Sequence, residues 1–208
     1  MTAKFKHPFT CVIAGPTGSG KTMFIERFLQ NLPVLMTHVP KKVIYCYGEW
    51  QNSYERLTQY SGDISFVEGL PDLDGLQSGE PRLIILDDLM GETDERVTRL
   101  FVKGSHHKNI SIMYIVQNLF NKNKEQRCIN LNTHYIVLFK NPRDNSQIIH
   151  LGKQMYPKNT HVIQDAYKLA TEKPYSYLLI DLKQDTPDHI RLRSDIFNTH
   201  QTVYQPRK

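Results

Sequence analysis

The glycine-rich run at residues 15–22, GPTGSGKT, holds the side chains with the clearest chemistry in this sequence. Its glycines allow the backbone to turn with N–H groups pointing inward, and those donors can surround the oxygens of a polyphosphate. The run matches the phosphate-loop pattern GxxxxGK[ST] in full, with Lys21 placed for the β- and γ-phosphates and the Thr22 hydroxyl for Mg²⁺. It predicts binding of a nucleoside triphosphate through Gly15, Pro16, Thr17, Gly18, Ser19, Gly20, Lys21 and Thr22.

A second, acidic motif lies at residues 83–88, where LIILDD reads as four apolar residues followed by two aspartates. Asp87 would end a buried strand and hold Mg²⁺ near the phosphate loop. Asp88 is then the candidate base for the attacking water. The pair could instead only end a strand, because aspartate is common in turns. At least one strand lies between the two motifs in the sequence, and we expect the phosphate-loop strand and the acidic strand to be neighbours in the sheet.

An amide and two arginines complete the candidate catalytic residues. Gln117 ends the strand predicted at 111–116, where an uncharged amide could sense the γ-phosphate or orient the lytic water. Capping the next turn is the alternative interpretation of Gln117. Arg143, in the stretch KNPRD, is the candidate arginine finger for a neighbouring subunit's nucleotide, and Arg127 is the second choice. Either arginine could also be an ordinary surface group.

The elements that must position these residues alternate between apolar strands and helical segments. Several strands are almost continuously apolar, which is typical of a sheet covered on both faces. The pattern predicts an α/β fold of three layers with a mainly parallel central sheet, in one domain over residues 1–197 with a flexible tail at 198–208. Strands are expected at 9–14, 42–47, 64–67, 82–87, 111–116, 134–139 and 175–181. Helices are expected at 21–32, 51–60, 92–103, 121–130, 145–155 and 160–171.

Composition excludes several classes of protein. The 208 residues include 39% hydrophobic side chains, 11 Tyr and 9 Phe, which is too apolar for a disordered chain. No apolar run reaches the roughly 20 residues of a membrane span, and the first residues do not form a signal peptide. Three cysteines form neither a disulfide framework nor a CxxC metal pair, so we expect an intracellular, reducing compartment and no membrane partner. The formal charge of +5 hints at nucleic acid without establishing it.

Taken together, these stretches resemble the genome-packaging ATPases of the FtsK–HerA class, and most closely the poxvirus-type branch found in Polinton/Maverick elements, adintoviruses and virophages. The resemblance covers residues 7–197 and is carried by HPFTCVIAGPTGSGKT, LIILDDLM, IVQNLF, HYIVLFKNPRD and YLLIDL followed by IRLRSDIF. In that class Lys21 and Thr22 match the phosphate-loop pair, Asp87 the Mg²⁺ aspartate and Gln117 the sensor. Asp88 stands where the broader class usually has glutamate, and its shorter side chain leaves the assignment of the base open.

The resemblance implies a RecA-like core of the ASCE division that uses ATP and Mg²⁺, assembles into a ring and moves double-stranded DNA. It further implies a capsid or portal protein as partner, and action in the host cytoplasm or nucleus where virions assemble. The stretch 99–127 has six basic residues and one acid, Glu125, so it is the candidate DNA contact, with a solvated basic face as the alternative. The six are Arg99, Lys103, Lys108, Lys122, Lys124 and Arg127.

Three other functions fit a phosphate loop. A nucleoside or nucleotide kinase has this size but needs an arginine-rich lid, and the arginines here are scattered. A GTP-dependent switch needs an NKxD motif, and the NKNK at 121–124 lacks its aspartate. A scaffold could bind ATP only to hold a ring together. The adjacent His106 and His107 lack a third ligand at a suitable spacing and are expected at the surface. Trp50 is expected in core or interface packing, with contact to a substrate or a neighbouring subunit as the alternative.

Overall fold

The computed structural model describes residues 3–60, 63–72, 79–87, 89, 95–104, 109–120 and 124–205, except for the side chains of residues 103 and 104. Within these ranges one sheet contains nine strands. They are β1 Thr10–Ala14, β2 Lys42–Tyr47, β3 Ile64–Glu68, β4 Arg82–Asp87, β5 Ile110–Val116, β6 Tyr135–Phe139, β7 Tyr177–Asp181, β8 Leu192–Ser194 and β9 Thr202–Tyr204.

Helices connect most of these strands. The α-helices are α1 Lys21–Gln30, α2 Leu32–Leu35, α3 Glu95–Arg99, α4 Lys124–Leu131, α5 Ser146–Met155 and α6 His161–Ala170. Two 3₁₀ helices lie at Asn52–Gln59 and Asp188–Ile190, and a π-helical turn at Leu100–Gly104 continues α3. Among the described residues, no helix is long and apolar enough to cross a membrane.

The strands lie in the order β3-β2-β4-β5-β1-β6-β7-β8-β9. Pairs from β3 to β6 are parallel, whereas β7, β8 and β9 add antiparallel strands at one side. The α/β fold with a mainly parallel sheet is therefore confirmed. One expectation was wrong: β5 lies between the phosphate-loop strand β1 and the acidic strand β4, so these two are not neighbours. Chain order does not fix spatial order, because a crossover can place a later strand between two earlier ones.

Two apolar layers cover the sheet because successive side chains of a strand point to opposite faces. In β1, Cys11 and Ile13 contribute to the layer under α1, α2 and the first 3₁₀ helix, whereas Val12 and Ala14 contribute to the layer under α3 to α6. In the first helix, Phe24, Ile25, Phe28 and Leu29 form the buried apolar stripe. Both faces of β1 are therefore covered by apolar side chains, and its carboxyl end, where the glycine loop begins, lies at the edge of the sheet.

The carboxyl-terminal part of the chain differs from the sequence prediction. Strands β8 and β9 were missed, and β9 lies inside the stretch expected to be a flexible tail. Its residues pair with β8, and the Tyr204 hydroxyl lies 2.9 Å from Ser194 Oγ. Three-residue strands are too short to show a hydrophobic period, so they become visible only through the neighbour with which they pair.

Candidate functional site

The glycine loop joins the carboxyl end of β1 to the start of α1. At Gly20 the backbone has φ +107°, in the left-handed region that favours glycine. At Gly15 there is no room for a side chain, because a Cβ there would lie 2.7 Å from both Phe139 Cβ and Ser19 Oγ. The Gly15 N–H donates to the Val116 carbonyl at 3.2 Å, which fixes the loop against β5. The glycine positions of the motif are thus required by this backbone.

Donor groups converge on the inside of the loop. Helix α1 begins at Lys21, and its N-cap, Gly20, supplies no side-chain cap, so the N–H groups of the first turn remain directed at the loop. Lys21 Nζ donates to the carbonyls of Gly15 and Pro16 at 2.6 and 2.9 Å. Ser19 Oγ is buried and has no hydrogen-bond partner among the described atoms. A loop with these donors and little room for side chains fits the oxygens of a polyphosphate.

Seven of the predicted site residues line one cleft: Thr17, Gly18 and Gly20 of the glycine loop, together with Lys21, Thr22, Asp87 and Gln117. The cleft has a volume of about 330 Å³ and lies at the carboxyl edge of the parallel strands. Lys21 and Thr22 enter it from α1, Asp87 from the end of β4, and Gln117 from just beyond β5. Strand β5 lies between β1 and β4, but it does not separate these residues, because neighbouring parallel strands end at the same edge of the sheet. Asp87 therefore lines the cleft although β4 is two strands away from β1.

Asp87 is oriented by two tyrosines that the sequence analysis did not single out. It is buried, and its Oδ2 accepts a hydrogen bond from Tyr45 at 2.6 Å and from Tyr54 at 3.0 Å. Tyr45 lies on β2, next to β4, and Tyr54 on the first 3₁₀ helix. Burial and the neighbouring carboxylate raise the pKa of Tyr45 well above its ordinary value, so its hydroxyl remains a donor.

The donor set at the cleft fits Mg²⁺ held together with the phosphates of a nucleotide. Among the described residues, no three His, Cys, Asp or Glu side chains are grouped as metal ligands. Mg²⁺ is usually held by one or two protein oxygens together with substrate phosphates and water. Thr22 and Asp87 line the same cleft as the phosphate loop and can supply those two oxygens.

The remaining catalytic candidates have different positions. Asp88 lies outside the described residues. Gln117 is exposed and lines the cleft. Arg143 is exposed in the loop between β6 and α5, and Arg127 is exposed on α4; neither is among the residues that line the cleft. Among the described residues, no arginine lines the cleft of the phosphate loop.

The Arg143 loop is nevertheless tied to the segment that follows Gln117. The buried Gln147 side chain accepts a hydrogen bond from the Leu119 N–H at 2.7 Å and donates to Asp144 at 2.9 Å. The same amide donates to Asn118 Oδ1 at 3.2 Å. Gln147 therefore links the two polar loops at the carboxyl edge, a role that its sequence position did not indicate.

The stretch proposed to contact DNA is described only in part. Arg99 forms an exposed ion pair with Glu95 at 3.3 Å, and Lys124 and Arg127 are exposed on α4. His106, His107, Lys108 and Lys122, and the side chain of Lys103, lie outside the described part of the structure. Trp50 is 46% exposed and packs edge-on against Tyr47, Tyr54 and Phe66, as expected for a packing residue.

The residues missed by the sequence analysis act through distant partners. Tyr45 and Tyr54 are separated from Asp87 by 42 and 33 residues, so no local spacing connects them. Gln147 lies 28 residues from Leu119. The phosphate loop was found because all its parts are contiguous, whereas side chains that hold catalytic groups come from any element that the fold brings near.

Comparison with known proteins yields a structural likeness and no family. No protein-family model matches the chain, and no curated protein matches it. Among solved structures, a KaiC-like protein from the hyperthermophilic archaeon Pyrococcus horikoshii covers 96% of this chain and 91% of its own. That alignment has 11% sequence identity and a TM-score of 0.47. A likeness of this size does not indicate a family or an activity for the chain.

Proposed function

We propose that this chain is an ATP-hydrolysing motor that moves double-stranded DNA and packages a viral or virus-like genome into a capsid. The observation that carries the proposal is the single cleft lined by Lys21, Thr22, Asp87 and Gln117 at the carboxyl edge of the sheet. The sequence resemblance to FtsK–HerA packaging ATPases adds the coupling to DNA.

Each residue has a defined task in hydrolysis. The loop N–H groups and Lys21 bind the phosphate chain and compensate the charge that develops on it. Thr22 and Asp87 would hold Mg²⁺, which neutralises phosphate charge when it is bound. Gln117 orients the attacking water, and Asp88, next in sequence to Asp87, accepts its proton.

The motor function requires assembly and a DNA contact. In the proposed ring, Arg143 is presented outward and completes the nucleotide site of the neighbouring subunit, with Arg127 as the second candidate. Arg143 is exposed on a loop braced from both sides: Gln147 holds Asp144, and the Tyr167 hydroxyl accepts from the Asn141 N–H at 2.8 Å. The basic residues of 99–127 would track DNA phosphates without reading bases. A capsid or portal protein is the further partner, at sites of virion assembly in the host cytoplasm or nucleus.

The test is ATP hydrolysis measured with and without double-stranded DNA, together with the assembly state. If the chain is a motor, it forms a ring and DNA increases its rate of ATP hydrolysis. High salt should suppress that increase. Arg143→Ala should assemble but lose turnover, and mixing it with Lys21→Ala should restore some activity at shared interfaces. Turnover by a monomer that ignores DNA would contradict the proposal, and phosphate transfer to an added nucleoside or nucleotide would indicate a kinase instead.

A further inference from the structure

A second cleft opens beside the phosphate loop. It has a volume of about 310 Å³ and shares Gly20, Met23 and Tyr175 with the phosphate cleft, so the two are continuous around the start of α1. Together they approach the size of sites that enclose a whole small ligand. A nucleotide whose phosphates lie in the loop must place its sugar and base in an adjoining space, and this cleft is such a space.

The second cleft has the composition of a site for a flat ring. Its floor is aromatic: Phe24 packs edge-on against Tyr177 and Phe197, with ring centroids 4.9 and 5.1 Å apart. Its polar lining includes Asp195 and Arg27, whose guanidinium lies 4.5 Å from the Phe197 ring centroid. An apolar floor with a few polar groups at the rim is typical of small-molecule sites.

Tyr175 is the residue that points most directly to a ligand. It is 59% exposed, and its Cβ would lie 3.1 Å from a Cβ on Gly20, so it stands directly over the phosphate loop. Its φ is +61°, a left-handed conformation that is strained for a tyrosine. Because the ring is largely exposed, packing against the rest of the protein offsets little of this strain. The strain is therefore a sign that the Tyr175 side chain has a role other than packing.

The local turn shows how Tyr175 comes to be strained. The Ser176 N–H donates to the Lys173 carbonyl at 3.3 Å, with Pro174 in the second position of the turn and Tyr175 in the third. Proline followed by a residue with positive φ is the pattern of a type II turn, whose third position favours glycine or asparagine. Asp195, which also lines the cleft, is left-handed too, at φ +56°. Aspartate adopts this conformation more readily than tyrosine, so the strain lies at Tyr175.

We infer that this second cleft is the nucleobase subsite of the nucleotide site and that Tyr175 is the platform on which the base stacks. The inference rests on the proposed nucleotide binding and names the part of the ligand that the phosphate loop does not read. Stacking on an aromatic ring tolerates different bases, so Tyr175 contributes affinity for the base rather than a choice among bases.

The experiment compares a ligand with a base against one without. Dissociation constants for ATP and for inorganic tripolyphosphate, each with Mg²⁺, are measured by calorimetry for the wild type, Tyr175→Gly and Tyr175→Phe. Removing the ring should weaken ATP binding at least about fivefold, the low end of the effect of losing one base–aromatic stack. Tripolyphosphate binding should change less than about twofold, and Tyr175→Phe should keep both affinities because the ring remains.

Two controls keep the outcome interpretable. Glycine suits the left-handed position, so Tyr175→Gly should not lower the free energy of unfolding, and weaker binding then cannot come from misfolding. Leu131→Ala removes another exposed apolar side chain, 77% exposed and remote from both clefts, and should alter neither affinity.

Each remaining outcome decides the inference. If Tyr175→Gly weakens the binding of ATP and of tripolyphosphate equally, Tyr175 supports the phosphate loop. If it weakens neither, no base occupies the cleft. Either result overturns the inference. Lys21→Ala tests the proposed function separately, because it should weaken both ligands. If the wild type binds neither ligand, the proposed function and the inference fail together.

Discussion

Two buried aspartates end strands at opposite edges of the same sheet. Asp87 ends β4 at the carboxyl edge of the parallel strands and is 6% exposed. Asp181 ends β7 and is 3% exposed, but β7 runs antiparallel to β6, so Asp181 lies opposite Tyr135, where β6 begins. The two residues are of the same type, are similarly buried and each end a strand. The direction of the strand decides at which edge of the sheet the residue lies.

An arginine donates to one of these carboxylates, and two tyrosine hydroxyls donate to the other. The Asp181 carboxylate accepts a hydrogen bond from buried Arg193 at 3.0 Å and one from the Lys183 N–H at 3.1 Å. Asp87 accepts from the hydroxyls of Tyr45 and Tyr54, which carry no charge. The arginine compensates the charge of Asp181 within the fold, and the two hydroxyls hold the Asp87 carboxylate in a fixed orientation at the cleft. We therefore expect loss of the Asp181 carboxylate to affect stability, and loss of the Asp87 carboxylate to affect the proposed Mg²⁺ site.

The sharpest test of this distinction is Asp87→Asn. Asparagine keeps the shape and can still accept from both hydroxyls, but it lacks the charge that would hold Mg²⁺. We expect hydrolysis of ATP to fall at least about 100-fold, since a metal ion contributes several kcal/mol to the transition state. Steady-state phosphate release checks the loss, and thermal unfolding checks that the fold is kept. Turnover close to that of the wild type would contradict the role assigned to Asp87.

For Asp181, at the opposite edge, we expect substitution to lower stability rather than hydrolysis. Asp181→Asn leaves the Arg193 guanidinium buried without its counter-charge, and its Nε and Nη1 already lack hydrogen-bond partners among the described atoms. Breaking a buried ion pair on one side typically costs about 3–5 kcal/mol of unfolding free energy. Urea denaturation measures that loss, and the double variant Asp181→Leu/Arg193→Met should recover much of it because no charge remains buried.

Two results for Asp181→Asn would contradict the role given to the Asp181–Arg193 pair. If Asp181→Asn leaves the free energy of unfolding within about 1 kcal/mol of the wild type, the pair does not stabilise the fold in the way described. If it instead abolishes hydrolysis in protein that remains folded, the division between the two edges is wrong.

The sequence predicted one of these aspartates and not the other. Asp87 follows four apolar residues and comes after a phosphate loop, so both its strand and its chemistry have local signals. Asp181 ends a similar apolar run, YLLID, but its partner belongs to β8, a three-residue strand with no visible period. Sequence pattern thus located the strand ends and could not assign the charge that faces each of them.

The same reasoning explains the error in strand order. The apolar runs were found within about two residues of their observed bounds for β1 to β7, because burial on both faces leaves a strong local pattern. The position of β5 between β1 and β4 depends on pairing across the sheet, as with Ile13 opposite Ile115 and Leu83 opposite Ser111. Parallel apolar strands offer similar surfaces to one another, so their neighbours cannot be derived from composition.

A smaller effect tests whether the tyrosines orient Asp87 for a metal ion. Tyr54→Phe keeps the ring and removes one donor to the carboxylate. Loss of a group that orients a metal ligand lowers metal affinity or activity about 10- to 100-fold, and we expect the low end because Tyr45 still donates. The measurement is the Mg²⁺ concentration needed for half-maximal ATP hydrolysis, which should rise.

The matched control is the hydroxyl at the other edge. Tyr135→Phe removes an oxygen that accepts from the Lys6 N–H at 3.0 Å, close to Asp181 and far from the cleft. It should lower the free energy of unfolding by about 1 kcal/mol and leave the Mg²⁺ requirement unchanged. If both phenylalanine variants raise that requirement equally, the hydroxyls at the carboxyl edge have no special part in orienting Asp87. A rise confined to Tyr54→Phe would show that the Tyr54 hydroxyl orients the Asp87 carboxylate for Mg²⁺.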